Sequence, residues 1–311
     1  MLWATSNPAN RMGNEYHIPV LLSECMEGLR IKPDEIYVDA TCGGGGHARE
    51  ILKKLTGGKL YAFDRDEEAV KENIINKNLV LINDNFKNMK ANLEMHGVSE
   101  VNGILADLGV SSHQLDSESR GFSFRFDSAL DMRMDLRQKM TAAEIVNSYS
   151  REELKKMFSI YGELKNSGAI SSAIIKAHEK KPIEKTTDLV SALSNLAERG
   201  SENKFYAKVF QALRIEVNAE LDALKSLLQQ SVLMLRKGGR LVIISYHSLE
   251  DRLVKNYIRS GKFSGEAERD LYGNVSTPFI AINKKPVTPS EYEIKNNPRA
   301  RSAKLRIAEK R

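Results

Sequence analysis

Over residues 36–108, short apolar runs bounded by turn residues alternate with stretches of helical period. Residues 36–41, 60–64, 79–83 and 103–108 read as buried strands, residues 43–46 as a turn, and residues 47–55 and 67–76 as helices. A βαβαβαβ series of this kind predicts a parallel sheet with helices on both faces. The alternation then stops. Between residues 115 and 203 only helical stretches follow, at 141–147, 150–158, 168–178 and 187–198. Strands resume at 240–245, after a long helical stretch over 206–235 closed by Gly238 and Gly239, and residues 279–283 and 303–308 supply two more candidates. The expectation is a doubly wound α/β catalytic domain in two segments, 15–114 and 204–311, interrupted by a helical insertion over 115–203. Residues 1–14 have no apolar core and a single Arg, and read as a disordered leader with Met12 as an alternative start.

Charge changes the picture at one end only. The 311 residues carry 47 Lys and Arg against 41 Asp and Glu, a net of +6. Residues 284–311 alone hold nine basic and three acidic side chains, so the remainder balances. A polyanion is the partner that such a basic end invites. Hydrophobic content of 41% with 28% charged residues excludes disorder and collagen-like structure. No apolar run approaches the roughly 20 residues that span a bilayer, so no membrane partner is expected. Two cysteines, Cys25 and Cys42, are too few for a disulfide scaffold and favour a reducing, cytoplasmic compartment. The six histidines show no ligand spacing, and no metal site is expected.

Ligands of an open parallel sheet bind at the carboxyl ends of its strands. Three of those ends carry acids: Asp39, Asp64 and Asp107. Residues 43–48 also satisfy the loose dinucleotide fingerprint G-x-G-x-x-A, with Asp64 where a ribose-binding acid is expected. Asp39 argues against a dinucleotide, because a carboxylate before the Gly43 turn would face a pyrophosphate. A cofactor with a ribose, an ammonium and a sulfonium but no phosphate would be attracted, and S-adenosylmethionine is that cofactor. The plain alternative is that Asp39 caps a turn or helix.

Several words of the sequence carry a resemblance to a known family. They are Tyr16-His17-Ile18-Pro19-Val20-Leu21-Leu22, Asp107-Leu108-Gly109-Val110-Ser111-Ser112, Arg120-Gly121-Phe122-Ser123-Phe124, Leu130-Asp131-Met132-Arg133-Met134-Asp135, Phe210-Gln211-Ala212-Leu213-Arg214-Ile215, Ser245-Tyr246-His247-Ser248-Leu249-Glu250-Asp251-Arg252 and Asn297-Pro298-Arg299-Ala300-Arg301-Ser302. With the Asp39 to His47 segment, they resemble, in order, the signature blocks of the RsmH or MraW family. The resemblance implies a Rossmann-like S-adenosylmethionine-dependent methyltransferase sheet, mostly parallel with its last strand antiparallel. It also implies methylation of the exocyclic amino nitrogen of one cytidine in small-subunit ribosomal RNA, acting within the small ribosomal subunit.

Carried onto matching positions, the resemblance sets Gly45, Gly46 and His47 against the methionine and ribose, Asp64 on the ribose hydroxyls and Phe86 on the adenine. Asp107 and Gln114 complete the pocket near the methyl. A cytosine amino group is a poor nucleophile, and an acceptor for one of its hydrogens helps it. Asp107 and Ser111 are the candidate acceptors, and His247 is a further catalytic candidate by position. His17 reads as structural. For RNA, Phe122 and Phe124 with Arg120 could stack a base and grip phosphate, or equally bury their rings in the core. Arg299, Arg301 and Lys304 are candidate phosphate contacts. Oligomeric state stays open, a homodimer included. Two alternatives stay open too: a methyltransferase acting on another substrate class, and a non-catalytic ribosome-assembly factor with the same fold.

Overall fold

The computed structural model describes residues 19–66, 75–110, 120–265 and 277–311. Residues 1–14, His17, Ser111, Gln114 and most of the helix expected over 67–76 lie outside the described residues.

The strands are β1 (Ile36–Asp39), β2 (Lys59–Phe63), β3 (Leu79–Ile82), β4 (Val101–Asp107), β5 (Leu235–Ser245), β6 (Phe279–Ala281) and β7 (Lys304–Lys310). They form one sheet in the order β3-β2-β1-β4-β5-β7-β6. Neighbours from β3 to β5 pair parallel, and β7 runs antiparallel to both β5 and β6. The expected antiparallel strand near the C-terminus is therefore present, but it is the last strand in sequence and not the edge of the sheet.

Residues alternate between the two faces because successive strand side chains point opposite ways. Val38, Phe63, Ile104, Leu241 and Ile243 enter one core, and Tyr37, Leu60, Leu105, Val242 and Ile244 enter the other. On the first side lie α3 (Met89–Met95), α9 (Glu220–Met234) and α10 (Ser248–Ser260), through Leu93, Leu227 and Val254. On the second lie α1 (Leu22–Leu29) and α2 (Gly46–Lys54), through Cys25, Leu29, Ile51 and Leu52. Strands buried on both faces explain the continuous apolar runs of the sequence.

A third core is helical. It gathers α4 (Ala142–Ser148), α5 (Arg151–Ile160), α6 (Ser167–His178) and α7 (Thr186–Leu193) around Ile145, Phe158, Ile170 and Leu189. Thr141 and Ser150 begin α4 and α5 with capping boxes to Glu144 and Glu153. Helix α8 (Glu202–Asn218) belongs to the same core through Phe205, Val209, Phe210 and Leu213, beyond the boundary expected at residue 203.

Two sequence expectations are corrected here. The long helix over 206–235 is two helices, α8 and α9, separated at Ala219, which adopts a left-handed φ of 47°. Gly238 and Gly239 do not close it. They lie inside β5, where the register against β4 shifts between Val101 and Gly103, and the strand begins at Leu235. Asn218 holds the helix break. Its amide donates to the carbonyls of Met132 and Arg214 at 2.8 and 2.9 Å and accepts the Met134 N–H at 2.8 Å. Replacing Asn218 by Ala strands buried backbone groups, so Asn218→Ala should lower the unfolding free energy by about 2–4 kcal/mol in a urea titration. A loss below about 0.5 kcal/mol would deny it this role.

Candidate active site at the carboxyl ends of the strands

The three acids stand where the sheet order changes direction beside β1 and β4, the position at which such sheets bind ligands. Asp39 ends β1 and is buried. Its Oδ1 accepts the Thr41 N–H at 3.0 Å, while its Oδ2 is buried and accepts no hydrogen bond among the described residues. Asp64 follows β2 and accepts the N–H groups of Gly43 at 2.7 Å and Asp66 at 2.8 Å. Asp107 ends β4. It accepts the Tyr246 hydroxyl at 2.8 Å on Oδ1, and its own N–H donates to Thr41 Oγ1 at 2.6 Å.

Desolvation and mutual repulsion govern the charges. Burial first, and the neighbouring Asp107 and Asp64 after it, push the Asp39 carboxyl up to about 6. Asp107 is pushed up to about 7 by burial and by Glu250, against the lowering effect of the Tyr246 hydroxyl. Asp64 is raised too, mainly by burial. His47 is buried and its pKa is lowered. Its Nε2 lies 3.1 Å from the Val20 carbonyl, which requires the hydrogen on Nε2 and leaves Nδ1 bare, 3.9 Å from Asp107 Oδ2.

The glycine turn fixes the other wall. Gly43 and Gly45 have φ of 50° and 75°, and Gly45 is the N-cap of α2. A Cβ on Gly46 would come within 2.4 Å of the Pro19 ring, so the chain over 19–21 can rest on the turn only if Gly46 is bare. The α2 N-terminus and the acids thus share one crevice. Phe86 begins the short 3-10 turn Phe86–Asn88 that follows β3, half-buried against the first core. An anion-lined crevice with an unpaired buried carboxylate oxygen fits the ammonium and sulfonium of S-adenosylmethionine and does not fit a pyrophosphate.

Other candidates fall elsewhere. His247 is the N-cap of α10: its Nδ1 accepts the Glu250 N–H at 3.4 Å, and Glu250 accepts the N–H groups of Tyr246 and His247 at 2.9 and 3.3 Å. The His247 side chain thus caps the helix through Nδ1. The His247 Nε2 also lies 3.2 Å from Glu250 Oε1. Glu220 stands close to this pair, but its carboxylate is held by Arg214 in two hydrogen bonds of 2.9 Å. A guanidinium in that place makes the group an ion-pair network rather than a cation cage.

The aromatic and basic cluster is corrected more sharply. Arg120 is buried, donating to the carbonyls of Arg133 and Met134 and lying 3.4 Å from Asp66 Oδ2. Phe122 is buried in the helical core. Phe124 packs on Tyr206 and Phe210 with ring centroids 5.8 and 5.7 Å away. The core reading wins because each ring has apolar partners, and Arg120 serves the junction between Asp66 and the helical unit. In the tail, Arg299 and Arg301 are exposed on the 3-10 turn Pro298–Ser302, while Lys304 is half-buried, 3.9 Å from Asp251. Sequence reasoning missed Thr41 and Glu250. Both adjoin strand ends, the one signal that could have found them.

Among the described residues no helix is long and apolar enough to cross a membrane. Residues 14–311 match the model of the MraW methylase family. The Ribosomal RNA small subunit methyltransferase H of Cytophaga hutchinsonii is 56% identical over 297 residues, covering 95% of this chain and 99% of that protein. The protein of the same name from Christiangramia forsetii is 52% identical over 297 residues, covering 95% and 98%. A crystal structure of a putative rRNA-methylase from Clostridium thermocellum covers 95% of this chain and 100% of its own at 13% identity and a TM-score of 0.44. The match over nearly all of the sequence, and relatives identical at more than half of their positions, settle descent: this chain belongs to the MraW methylase family.

Proposed function

We propose that the protein transfers the methyl group of S-adenosylmethionine to the exocyclic amino nitrogen of a cytidine in small-subunit ribosomal RNA. The observation that carries this reading is the crevice itself: three partly desolvated carboxylates at adjacent strand ends, one with an unpaired oxygen, beside a glycine turn. The names of the relatives supply the RNA.

When bound, the cofactor supplies an electrophilic methyl on a sulfonium. The chain's own residues do the rest. Asp39 holds the cofactor's cationic end through Oδ2. Asp64, already oriented by the Gly43 and Asp66 amides, takes the ribose hydroxyls, and Phe86 lies against the base. Asp107 accepts a hydrogen of the cytosine amino group, returning electron density to nitrogen as the N–C bond forms. The methylated nitrogen is acidic and loses its proton afterwards, so no base must act before transfer. Ser111 and Gln114, which follow β4 in the sequence, are further candidates. The helical unit built on the third core, with Arg299 and Arg301, faces the RNA, and the assembled small subunit in the cytoplasm is the substrate particle in this reading.

Asp107→Ala should reduce methyl transfer to ribosomal RNA more than about a hundredfold, measured with labelled cofactor on small subunits and on naked RNA. Full activity in a folded variant would reject the assignment, and label only in protein would reject the substrate. Cofactor affinity should also depend on pH. The carboxyls of Asp39 and Asp107 are protonated as pH falls through about 7 to 6, and their attraction for a cation goes with the charge. Calorimetry should find affinity about tenfold or more weaker at pH 5 than at pH 8, with a flatter profile in Asp39→Asn. An unchanged affinity across that range would remove Asp39 from cofactor binding. Replacing Arg299 and Arg301 by Ala should weaken RNA binding and reduce its salt slope by about two, with cofactor affinity untouched.

A further inference from the structure

We infer that Tyr246 is a positioning residue for Asp107: its hydroxyl fixes one carboxylate oxygen, so that the other faces the crevice and takes the hydrogen of the substrate's amino group. The inference rests on the function proposed above. Tyr246 directly follows β5 and is held at both ends, its N–H donating to Glu250 Oε2 at 2.9 Å and its hydroxyl to Asp107 Oδ1 at 2.8 Å. Asp107 is fixed at its backbone as well, through the 2.6 Å bond from its N–H to Thr41 Oγ1. Oδ2 has no comparable partner among the described residues. His47 Nδ1 stands 3.9 Å away, beyond hydrogen-bond reach, and the Asp107 side chain keeps 24% of its surface exposed. One oxygen is thus occupied and one is presented.

The groups packed around Asp107 make the hydroxyl matter. Asp39 on β1, Glu250 on α10, Cys25 on α1 and a buried His47 on α2 face it, and none of them donates a hydrogen bond to its carboxylate among the described residues. Two of these neighbours are acids that oppose its charge. Tyr246 supplies the donor that favours the ionised form. Burial and the adjacent Asp107 charge push the phenol well above its ordinary value, so the hydroxyl keeps its hydrogen throughout the working range.

Tyr246→Phe keeps the ring and removes only the hydroxyl. Carbon-13 NMR titration of the Asp107 carboxyl in cofactor-free protein, assigned against Asp107→Asn, should show its midpoint rising by about one pH unit. The acid limb of kcat should move by the same amount, giving about a tenfold loss on the limb, with the KM for cofactor within about twofold on the alkaline plateau, where Asp107 is ionised in both proteins. A midpoint and limb that stay in place, or a loss of activity equal at every pH, would overturn the inference and leave Tyr246 a packing residue. A wild-type protein that places no methyl on cytosine nitrogen would defeat the proposed function instead. The NMR titration uses neither RNA nor cofactor and decides the Tyr246–Asp107 coupling in that case too.

Discussion

Like charges held close together in a poorly solvated crevice repel, and the ends of β1, β2 and β4 hold three of them. Their burial is tolerable because the chain turns at once after each strand and points donors back at the acids. Thr41, Gly43 and Asp66 give backbone N–H groups, and Tyr246 gives a hydroxyl. The compensation is incomplete at Asp39 Oδ2. A cation entering the crevice would relieve both the repulsion and the missing contact. The same demand constrains the surroundings. Donors reach the acids only if the Gly43 turn is left-handed and Gly46 is bare enough for Pro19 to lie on it. The fold around the crevice is therefore arranged by electrostatics as much as by apolar packing.

The helical core is tied to this crevice through the loop that carries Asp64. Arg65, next in sequence, donates to the Asn218 carbonyl at 3.2 Å, and Asp66 lies 3.4 Å from Arg120. Asn218 in turn bonds Met132 and Met134, and across the helix break Arg214 grips Glu220. Buried charges of this kind cost desolvation, and removal of either partner leaves the other stranded. What such pairs give in return is register. A shift of α8 along its axis would unpair Arg65 and Arg214 together, whereas apolar contacts alone would tolerate sliding. The acidic crevice and the helical core are thus joined by directional bonds.

Periodicity carried most of the sheet because strands buried on both faces write themselves as apolar runs, as at 36–41 and 103–108. The misses share a cause, which is that local signals were overruled by distant partners. Val217 and Asn218 are weak helix formers, but Ala219, Glu220 and Leu221 would carry a helix on; the break is held by Met132 and Met134, more than eighty residues earlier. The pair Gly238-Gly239 looked like a helix stop, but the bulge against Val101 and Gly103 takes it into β5. Phe122, Phe124 and Arg120 show the same limit in the site. Alternating rings beside an arginine fit a base-stacking arm and a buried segment alike, and only the positions of Tyr206, Phe210 and Asp66 separate the two. The acids were legible because strand ends fix their own location.

The basic end is also resolved by its partners. Arg306 is buried in β7, with its guanidinium on Asp251 at 2.6 and 3.2 Å, and Lys304 approaches the same carboxylate. On the neighbouring strand Arg240 meets Glu309 at 2.8 Å. Part of the C-terminal charge is thus consumed in closing the sheet, while Arg299 and Arg301 are exposed on the turn before β7. The same segment reaches the crevice by another route. Glu293, on the short helix Glu291–Asn296, accepts the Leu21 N–H at 2.7 Å, and Leu21 follows the Val20 carbonyl that fixes His47. The segment that carries Arg299 and Arg301 therefore also braces the chain lying on the Gly43 turn. The charge asymmetry of the sequence is local geometry in the fold: the exposed basic turn is continuous, through Glu293 and Leu21, with the wall of the crevice.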